Sequence, residues 1–497
     1  MHKWNSIKEV HHHALNAEGK KIKELLKKAT VDNYYEKPQN KGWIGNSIES
    51  DWFGIPNNNR DEPDIPELNL EIKVTPIRKT RNGWSAKERL VLNIFDFNEE
   101  YLKPFEQASF ILKSSLIELM YYEHKKDIPS PELEVKKANL FKLSDLPKED
   151  WLIIKQDWET IINKILEGRA DELSDSLTKY LGATTKGSKT EKNMTNQPFS
   201  EKKAHRRSFT LKGAYMTQLA RRAMGEEDSN RENIIKDYDA LKEKSFETII
   251  LDNYKPYIGK TKEELAKLFN VDILNENDKA SSAKLARKML NVEKNIEDTE
   301  EFKKANIAVK ILTIESNKKK ATEHFKITIP DNTEVDLKNL INETWENSIL
   351  RDYLSSCRFL LVVYKKEGNR TIFKGAKFWR IPLSQLDSNV KEVWEETKNI
   401  FFNGIELTYK PTNSKKGYEV KNSLPKASLK KTLHMRPSSK YSSYRNNTHS
   451  VELPIESRWI NRPKSMREEL TSNYITKQAW WLNNDYMYNQ VKDLLNN

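Results

Sequence analysis

Short strings recur in the same order along this chain at nearly constant spacing, and that recurrence limits the fold more than any other feature. Glu18-Gly19-Lys20-Lys21-Ile22-Lys23-Glu24-Leu25 returns as Ile258-Gly259-Lys260-Thr261-Lys262-Glu263-Glu264-Leu265, and Asp157-Trp158-Glu159 with Gly168 returns as Val393-Trp394-Glu395 with Gly404. The offsets are 240 and 236, and Asn306 to Thr313 falls where Asn69 to Pro76 would land if moved by 237. Ordered similarities of this kind predict a duplicated domain. A chain of 497 residues is long enough for two such copies, each burying its own core. The acidic, polar stretch Gly225-Glu226-Glu227-Asp228-Ser229-Asn230 is the natural place to divide them, giving 1–225, a linker over 226–245, and 246–497.

The first copy carries the chemistry. Pro63-Asp64-Ile65-Pro66 is followed by Leu68 to Val74, where polar and apolar side chains alternate as in a half-buried strand, so Asn69, Glu71 and Lys73 are expected on one face. Asp64 approaches from the preceding turn, which the two prolines stiffen. Two hard carboxylates suit Mg²⁺, which can offset charge on phosphorus and generate hydroxide near neutral pH. Lys73 adds a cation for the water or the transition state, and a pKa lowered by the metal would let it accept a proton. A solvated hairpin could carry the same residues, so context matters. Upstream, Lys41-Gly42-Trp43-Ile44-Gly45 allows close backbone approach at a helix start, and Glu49 would face the same site. Downstream, Lys87 to Ile94 is expected to be a loop entering a strand.

In these residues the chain resembles the MutH-like branch of the PD-(D/E)xK nucleases. The matching motifs are Lys41 to Gly45 with Glu49, Pro63-Asp64, Glu71-Ile72-Lys73 followed by Pro76, and Gln156-Asp157-Trp158-Glu159, within roughly residues 5 to 225. The length and two-part layout resemble the Sau-type restriction endonucleases. The resemblance implies an α/β fold (an α+β mixed sheet flanked by helices) and two tandem restriction-endonuclease-like domains, a pseudo-dimer in one chain. It also implies a type II endonuclease that hydrolyses double-stranded DNA at GATC with Mg²⁺. On this reading Asp64 and Glu71 ligate the metal with the Ile72 carbonyl, Lys73 polarises the attacking water, and Glu49 orients a ligand, the water or Lys73.

Shifted by 237, Lys73 meets Lys310 and Asp64 meets Glu301, but Glu71 meets Ala308, and Arg287 stands near the counterpart of Glu49. A cation and a methyl group cannot replace two carboxylates, so the second copy is expected to bind DNA without cutting it, and the Sau-type resemblance implies that it engages a second site.

A formal charge of +12 favours a polyanionic partner. Basic residues concentrate between Lys186 and Arg222 and again between Lys415 and Arg445, interrupted by Ser, Asn, Tyr and Gly as in loops that contact phosphate and base edges. Candidate DNA contacts are Lys41, Lys87, Arg206, Arg207, Lys212, Tyr215, Arg436, Tyr444 and Arg445, with Arg206, Arg207 and Arg436 suited to guanine. One active centre per chain implies a transient homodimer on DNA or two successive nicks. A strand-specific mismatch-repair nickase, a non-catalytic DNA-binding protein and a cytoplasmic scaffold are the other readings.

Several classes are disfavoured. The chain lacks an apolar run long enough to span a membrane and the apolar core of a signal peptide at its start, so a cytoplasmic place is expected. Cys357, the single cysteine, precedes an apolar run and reads as a buried thiol. The phosphate-loop pattern is absent, so no nucleotide cofactor is expected. His11-His12-His13 would point in different directions on a helix, which argues against zinc. Ile7 to Ala29 should be helical with an interruption at Gly19, Phe110 to Leu112 and Leu116 to Tyr122 should be strands, residues 151 to 180 should be helical, and Phe359 to Tyr364 should be a strand of the second copy.

Overall fold

In the computed structural model the described residues are 3–37, 42–56, 62–187, 193–228, 230–273, 279–315, 317–330, 332–414 and 416–496. They form two compact units, one of residues 1–250 with 294–307 and the other of 251–293 with 308–497. Both are mixed α/β.

The first unit is built on a four-stranded sheet. β1 (Glu71–Thr80) turns through Arg81 and Asn82 into β2 (Gly83–Ala86), pairing antiparallel, and Gly83 takes the positive φ of +98° that closes the hairpin. β3 (Leu90–Phe95) leaves this sheet, and the chain returns as β4 (Leu116–Glu123), parallel to β1 with Glu71 opposite Ile117 and Lys73 opposite Leu119. β5 (Glu134–Lys142) pairs antiparallel with β4, giving the order β2-β1-β4-β5. A second sheet, order β3-β9-β6, uses β6 (Leu181–Thr185) and β9 (Arg207–Leu211), and the hairpin of β7 (Met194–Gln197) and β8 (Ser200–His205) stands beside them in sequence.

The helix Lys148–Leu166 buries Ile153, Ile154, Trp158, Ile161, Ile162 and Ile165, the stripe expected of its 3.6-residue period. It ends at Leu166, short of the expected 180, because Gly168 adopts a positive φ of +67°. Asp157, on its buried face, accepts hydrogen bonds from the backbone N–H groups of Lys179, Tyr180 and Leu181 at 2.8, 2.6 and 3.0 Å. This motif carboxylate therefore braces the chain entering β6.

The sequence misleads at two apolar stretches. Phe110 to Leu112 lie in a helix, Ser109–Ser114, not a strand, while Leu116–Glu123 is a strand. Asn69 caps the short 3-10 turn Pro66–Leu68 in the left-handed region (φ 49°), so it stands outside β1 and does not share a strand face with Glu71 and Lys73.

Residues of the expected linker are packed into the first unit. Glu226 accepts hydrogen bonds from Lys79 and from Trp84 N (2.9 Å), Leu241 is buried, and Gln156 Nε2 donates to the carbonyls of Leu241 and Lys244 at 2.7 and 2.9 Å. Their acidity finds cationic and amide partners, and the compact units accordingly divide elsewhere than composition suggested.

In the second unit β10 (Ile307–Glu315), β12 (Arg358–Glu367) and β13 (Arg370–Trp379) form a sheet in that order, with the short β11 (Phe325–Lys326) in another. This sheet repeats the β1-β4-β5 core of the first unit. The likeness extends to detail. Gly19, at φ +78°, donates to Val135 O (2.8 Å) on β5, and Val135 N donates back to Lys20 O (3.0 Å). Gly259, at φ +85°, donates to Phe373 O (2.9 Å) on β13, and Phe373 N donates back to Lys260 O (2.9 Å). The β4–β5 register slips at Tyr121/Tyr122 and the β12–β13 register at Val363/Tyr364. Cys357 is buried in the second core among Leu354, Phe359 and Leu361.

Candidate active site

Asp64 and the start of β1 are tied together through their backbones. Asp64 N donates to Glu71 Oε2 (3.1 Å), and Ile72 N donates to Asp64 Oδ2 (2.9 Å). This reciprocal pair, with the Ile65–Leu70 bridge closing the intervening turn, holds both carboxylates at one end of the strand. Lys73, two residues on and on the same strand face, places its Nζ 2.5 Å from Glu71 Oε1.

Glu49 arrives from a different segment. The α-helix Trp43–Ser47 runs into a π-turn, Ile48–Trp52, which carries Glu49 in its first turn. Burial pushes the Glu49 carboxyl up to about 7, and the charge of Asp64 adds to that, with Glu71 also raising it and Lys73 and Lys113 opposing. Burial likewise raises Glu71, against the pull of Lys73. Burial alone would depress Lys73, but the Glu71 carboxylate, helped by Asp64 and Glu49, holds it above the usual lysine value. Before any cation enters, Lys73 is thus an ammonium ion and not a base.

Lys113 was not singled out by its sequence. It stands in the last turn of Ser109–Ser114, just before β4, and the parallel pairing of β4 with β1 brings its charge to bear on both Glu49 and Glu71. A basic residue immediately ahead of the strand that neighbours the motif strand was the one available signal.

The donor set fits a hard divalent cation. The charge of Asp64 raises the proton affinity of both Glu49 and Glu71, and Glu71 adds to that of Glu49, a repulsion that a cation held there would relieve. Among the described residues no three carboxylate, imidazole or thiolate side chains converge on one ion position. Two carboxylates with a backbone carbonyl and water make up such a shell, which suits an ion that keeps much of its hydration.

The DNA-contact candidates divide by burial. Lys87, Arg206, Arg436 and Arg445 are exposed. Arg206 stands beyond the end of β8, Arg436 lies over the Trp481 ring at 4.8 Å, and Arg445 pairs with Glu469 at 3.3 Å. Lys41 lies outside the described residues. The other four are interior groups in this conformation. Arg207 donates to Ala183 O and Thr185 Oγ1 (3.3 and 3.0 Å), and burial lowers it to about 10. Lys212 Nζ donates to Asp175 O and Thr178 O (2.8 and 2.9 Å), Tyr215 OH donates to Asp150 Oδ2 (2.9 Å), and Tyr444 packs edge-on against Trp459. Arg207 lies on β9, Tyr215 on the helix Gly213–Ala223 with Lys212 at its N-cap, and Tyr444 in an isolated bridge to Leu470, inward-facing positions that the basic, loop-like composition concealed. Lys186 and Lys203 are exposed in the same stretch.

In the second unit, Lys310 Nζ donates to Lys326 O (3.1 Å) and Arg287 Nη1 to Glu293 O (2.8 Å). Glu301 belongs to the first compact unit, where its buried carboxylate accepts from Ile234 N and Ile235 N.

A turn carboxylate, a strand carboxylate and a strand lysine two residues later, on a mixed sheet flanked by helices, define a MutH-like nuclease domain. Residues 53–157 match the family model described as "DNA mismatch repair enzyme MutH". The MutH proteins of Vibrio vulnificus and Shewanella woodyi are 26% and 24% identical over 154 and 189 residues, covering 30% and 38% of this chain and 63% and 79% of theirs. The type II restriction enzyme Sau3AI of Staphylococcus aureus is 36% identical over 517 residues, covering 100% of both chains. The chain belongs to the Sau3AI family of type II restriction enzymes, and is a site-specific deoxyribonuclease acting on double-stranded DNA. Among the described residues no helix is long and apolar enough to cross a membrane.

Proposed function

We propose that the protein cuts double-stranded DNA at GATC with Mg²⁺, that the first unit holds the catalytic centre, and that the second binds DNA without cutting. The convergence of Asp64, Glu71, Lys73 and Glu49 at the start of β1 carries the assignment of the centre. Asp64 and Glu71, with the Ile72 carbonyl, would hold the cation, which when bound offsets phosphate charge and lowers the pKa of water. Lys73, paired with Glu71 in this structure, would be the ammonium that faces the attacking water or the phosphate when Glu71 serves the cation. Glu49, poised near neutrality, then orients Lys73 or the water. Ala308, with no side-chain oxygen to offer where Glu71 stands in the first copy, supports a silent second unit. The GATC site rests on the family resemblance. Arg206, with Lys186 and Lys203 nearby in sequence, and Arg436 are the exposed cations best suited to phosphate and guanine.

The test is incubation of the purified chain with unmethylated plasmid and Mg²⁺, beside Glu71→Ala and a chelator control, with fragment ends sequenced. Fragments ending at GATC, lost in both controls, are expected. Ends at other sequences would refute the site, and intact plasmid would refute the cutting. A plasmid with one GATC reports how two strands are cut by one centre per chain. Rate rising steeply with enzyme concentration supports a transient homodimer; nicked circles that persist support the strand-specific nickase reading.

A further inference from the structure

The segment bearing Glu49 is not a regular helix, and its irregularity is held from outside. The π-turn Ile48–Trp52 is closed by Phe53 N donating to Ile48 O at 3.1 Å, and Ile55 N donates to Glu49 O at 2.9 Å. Such turns are uncommon, often mark functional sites, and leave terminal carbonyls in need of donors. The donors come from the N-terminal residues. His13, on the helix Ile7–Leu15, places Nε2 3.0 Å from Trp52 O, and because a carbonyl only accepts, this histidine carries a proton on Nε2. Its ring stacks on Trp52 with centroids 4.4 Å apart and planes at 27°, and meets Phe53 and Trp4 at 5.6 and 5.1 Å. Trp4 Nε1 donates to Phe53 O at 3.1 Å. On the turn's other side Asp51 accepts from Lys27 N and Thr30 Oγ1 at 3.0 and 2.6 Å. The three histidines do different things: His11 pairs with the buried Glu118 at 2.9 Å, and His12 is exposed.

We propose that His13 is a positioning residue for the nuclease centre: its ring N–H and its stacking on Trp52 keep the π-turn closed and so fix where Glu49 stands beside Asp64 and Glu71. The proposal rests on the reading of Glu49 as part of that centre. Donating to a turn carbonyl and stacking on the neighbouring ring constrain the turn in two directions, as supporting groups around metal sites do. A displaced Glu49 would slow the reaction and weaken cation binding while leaving the DNA-contacting surface in place.

The test uses the full chain as wild type and in four variants. His13→Phe keeps the stacking ring and removes the donor, and His13→Gln keeps an N–H of similar reach. The double variant His13→Phe/Glu49→Gln is compared with Glu49→Gln alone. Plasmid cleavage in Mg²⁺ gives kcat and KM, calorimetric Mn²⁺ titration gives cation affinity, and hydrogen exchange reads the amides of residues 48–55. His13→Phe is expected to lose roughly 10–100-fold in kcat, with weaker Mn²⁺ binding and faster exchange over 48–55. KM should stay within about twofold, His13→Gln should recover most of the loss, and the double variant should be no slower than Glu49→Gln. A folded His13→Phe chain with wild-type kcat and Mn²⁺ affinity overturns the proposal, as do multiplying losses in the double variant. Failure of both single variants to fold would make His13 a stability residue alone and overturn it too. A wild-type chain that does not cut is a separate result, refuting the nuclease reading itself.

Discussion

Glu49→Gln should stabilise the metal-free protein, and only above a particular pH. A glutamate at 4.5 in the unfolded chain and about 7 in the folded one binds its proton more tightly when folded. Below pH 4.5 it is protonated in both states and has no effect. Between the two values the unfolded chain releases its proton while the folded one keeps it, so stability falls as pH rises, and above 7, where the folded carboxyl also ionises in its unfavourable place, the full cost has been reached. At 1.36 kcal/mol per unit that cost is about 3 kcal/mol, and allowing for partial solvation about 2–3 kcal/mol. Glutamine keeps the volume and cannot ionise. In a unit of this size the gain corresponds to roughly 5–10 °C in the melting of the first unit at pH 8, vanishing near pH 4.5. Calorimetry of both proteins in chelator from pH 4.5 to 8.5 measures it directly. Added Mg²⁺ should narrow the gap, because a cation offsets the same repulsion and binds the folded wild type more strongly. A gain that is the same at every pH, or none at pH 8, would refute the account of Glu49 as a carboxylate strained by burial and by Asp64.

Glu71→Ala should cut plasmid at least roughly 10³-fold more slowly while still binding duplex in Ca²⁺, since it removes charge stabilisation at the reacting phosphate rather than DNA contacts; retained activity would exclude it from the centre. Lys304→Met should destabilise the first unit by about 3–5 kcal/mol in urea, because it strands the buried Asp150 carboxylate, to which Lys304 Nζ now donates at 2.8 Å; a loss under 1 kcal/mol would contradict that. Asp157→Ala, which orphans three buried N–H groups, should lower stability by at least about 2 kcal/mol and raise hydrogen exchange at residues 179–181. Arg206→Ala should weaken duplex binding and reduce the slope of log affinity on log salt by about 1, whereas an unchanged slope would remove Arg206 from the DNA surface.

What the sequence fixes here is local chemistry and internal symmetry. The recurrence of Gly19 and Gly259 could be read because a positive φ selects glycine, and both donate to a strand in the same way. Glu71 and Lys73 could be read because a strand has a period of two. Tertiary structure decided what depends on partners distant in the chain. Composition cannot tell a basic loop from a basic strand, and so could not reveal that Arg207, Lys212 and Tyr215 turn inward while Arg206 does not. Phe110 to Leu112 have the apolarity of a strand, but packing beside β3 makes them a helix. Lys113 acquires its influence on Glu49 and Glu71 only when β4 lies parallel to β1. His13 meets Trp52, 39 residues away, because the N-terminal helix folds against the π-turn. Residue type and spacing determine which groups can do the chemistry; burial and long-range pairing, which no local pattern encodes, determine their charge, their neighbours and which of them face the DNA.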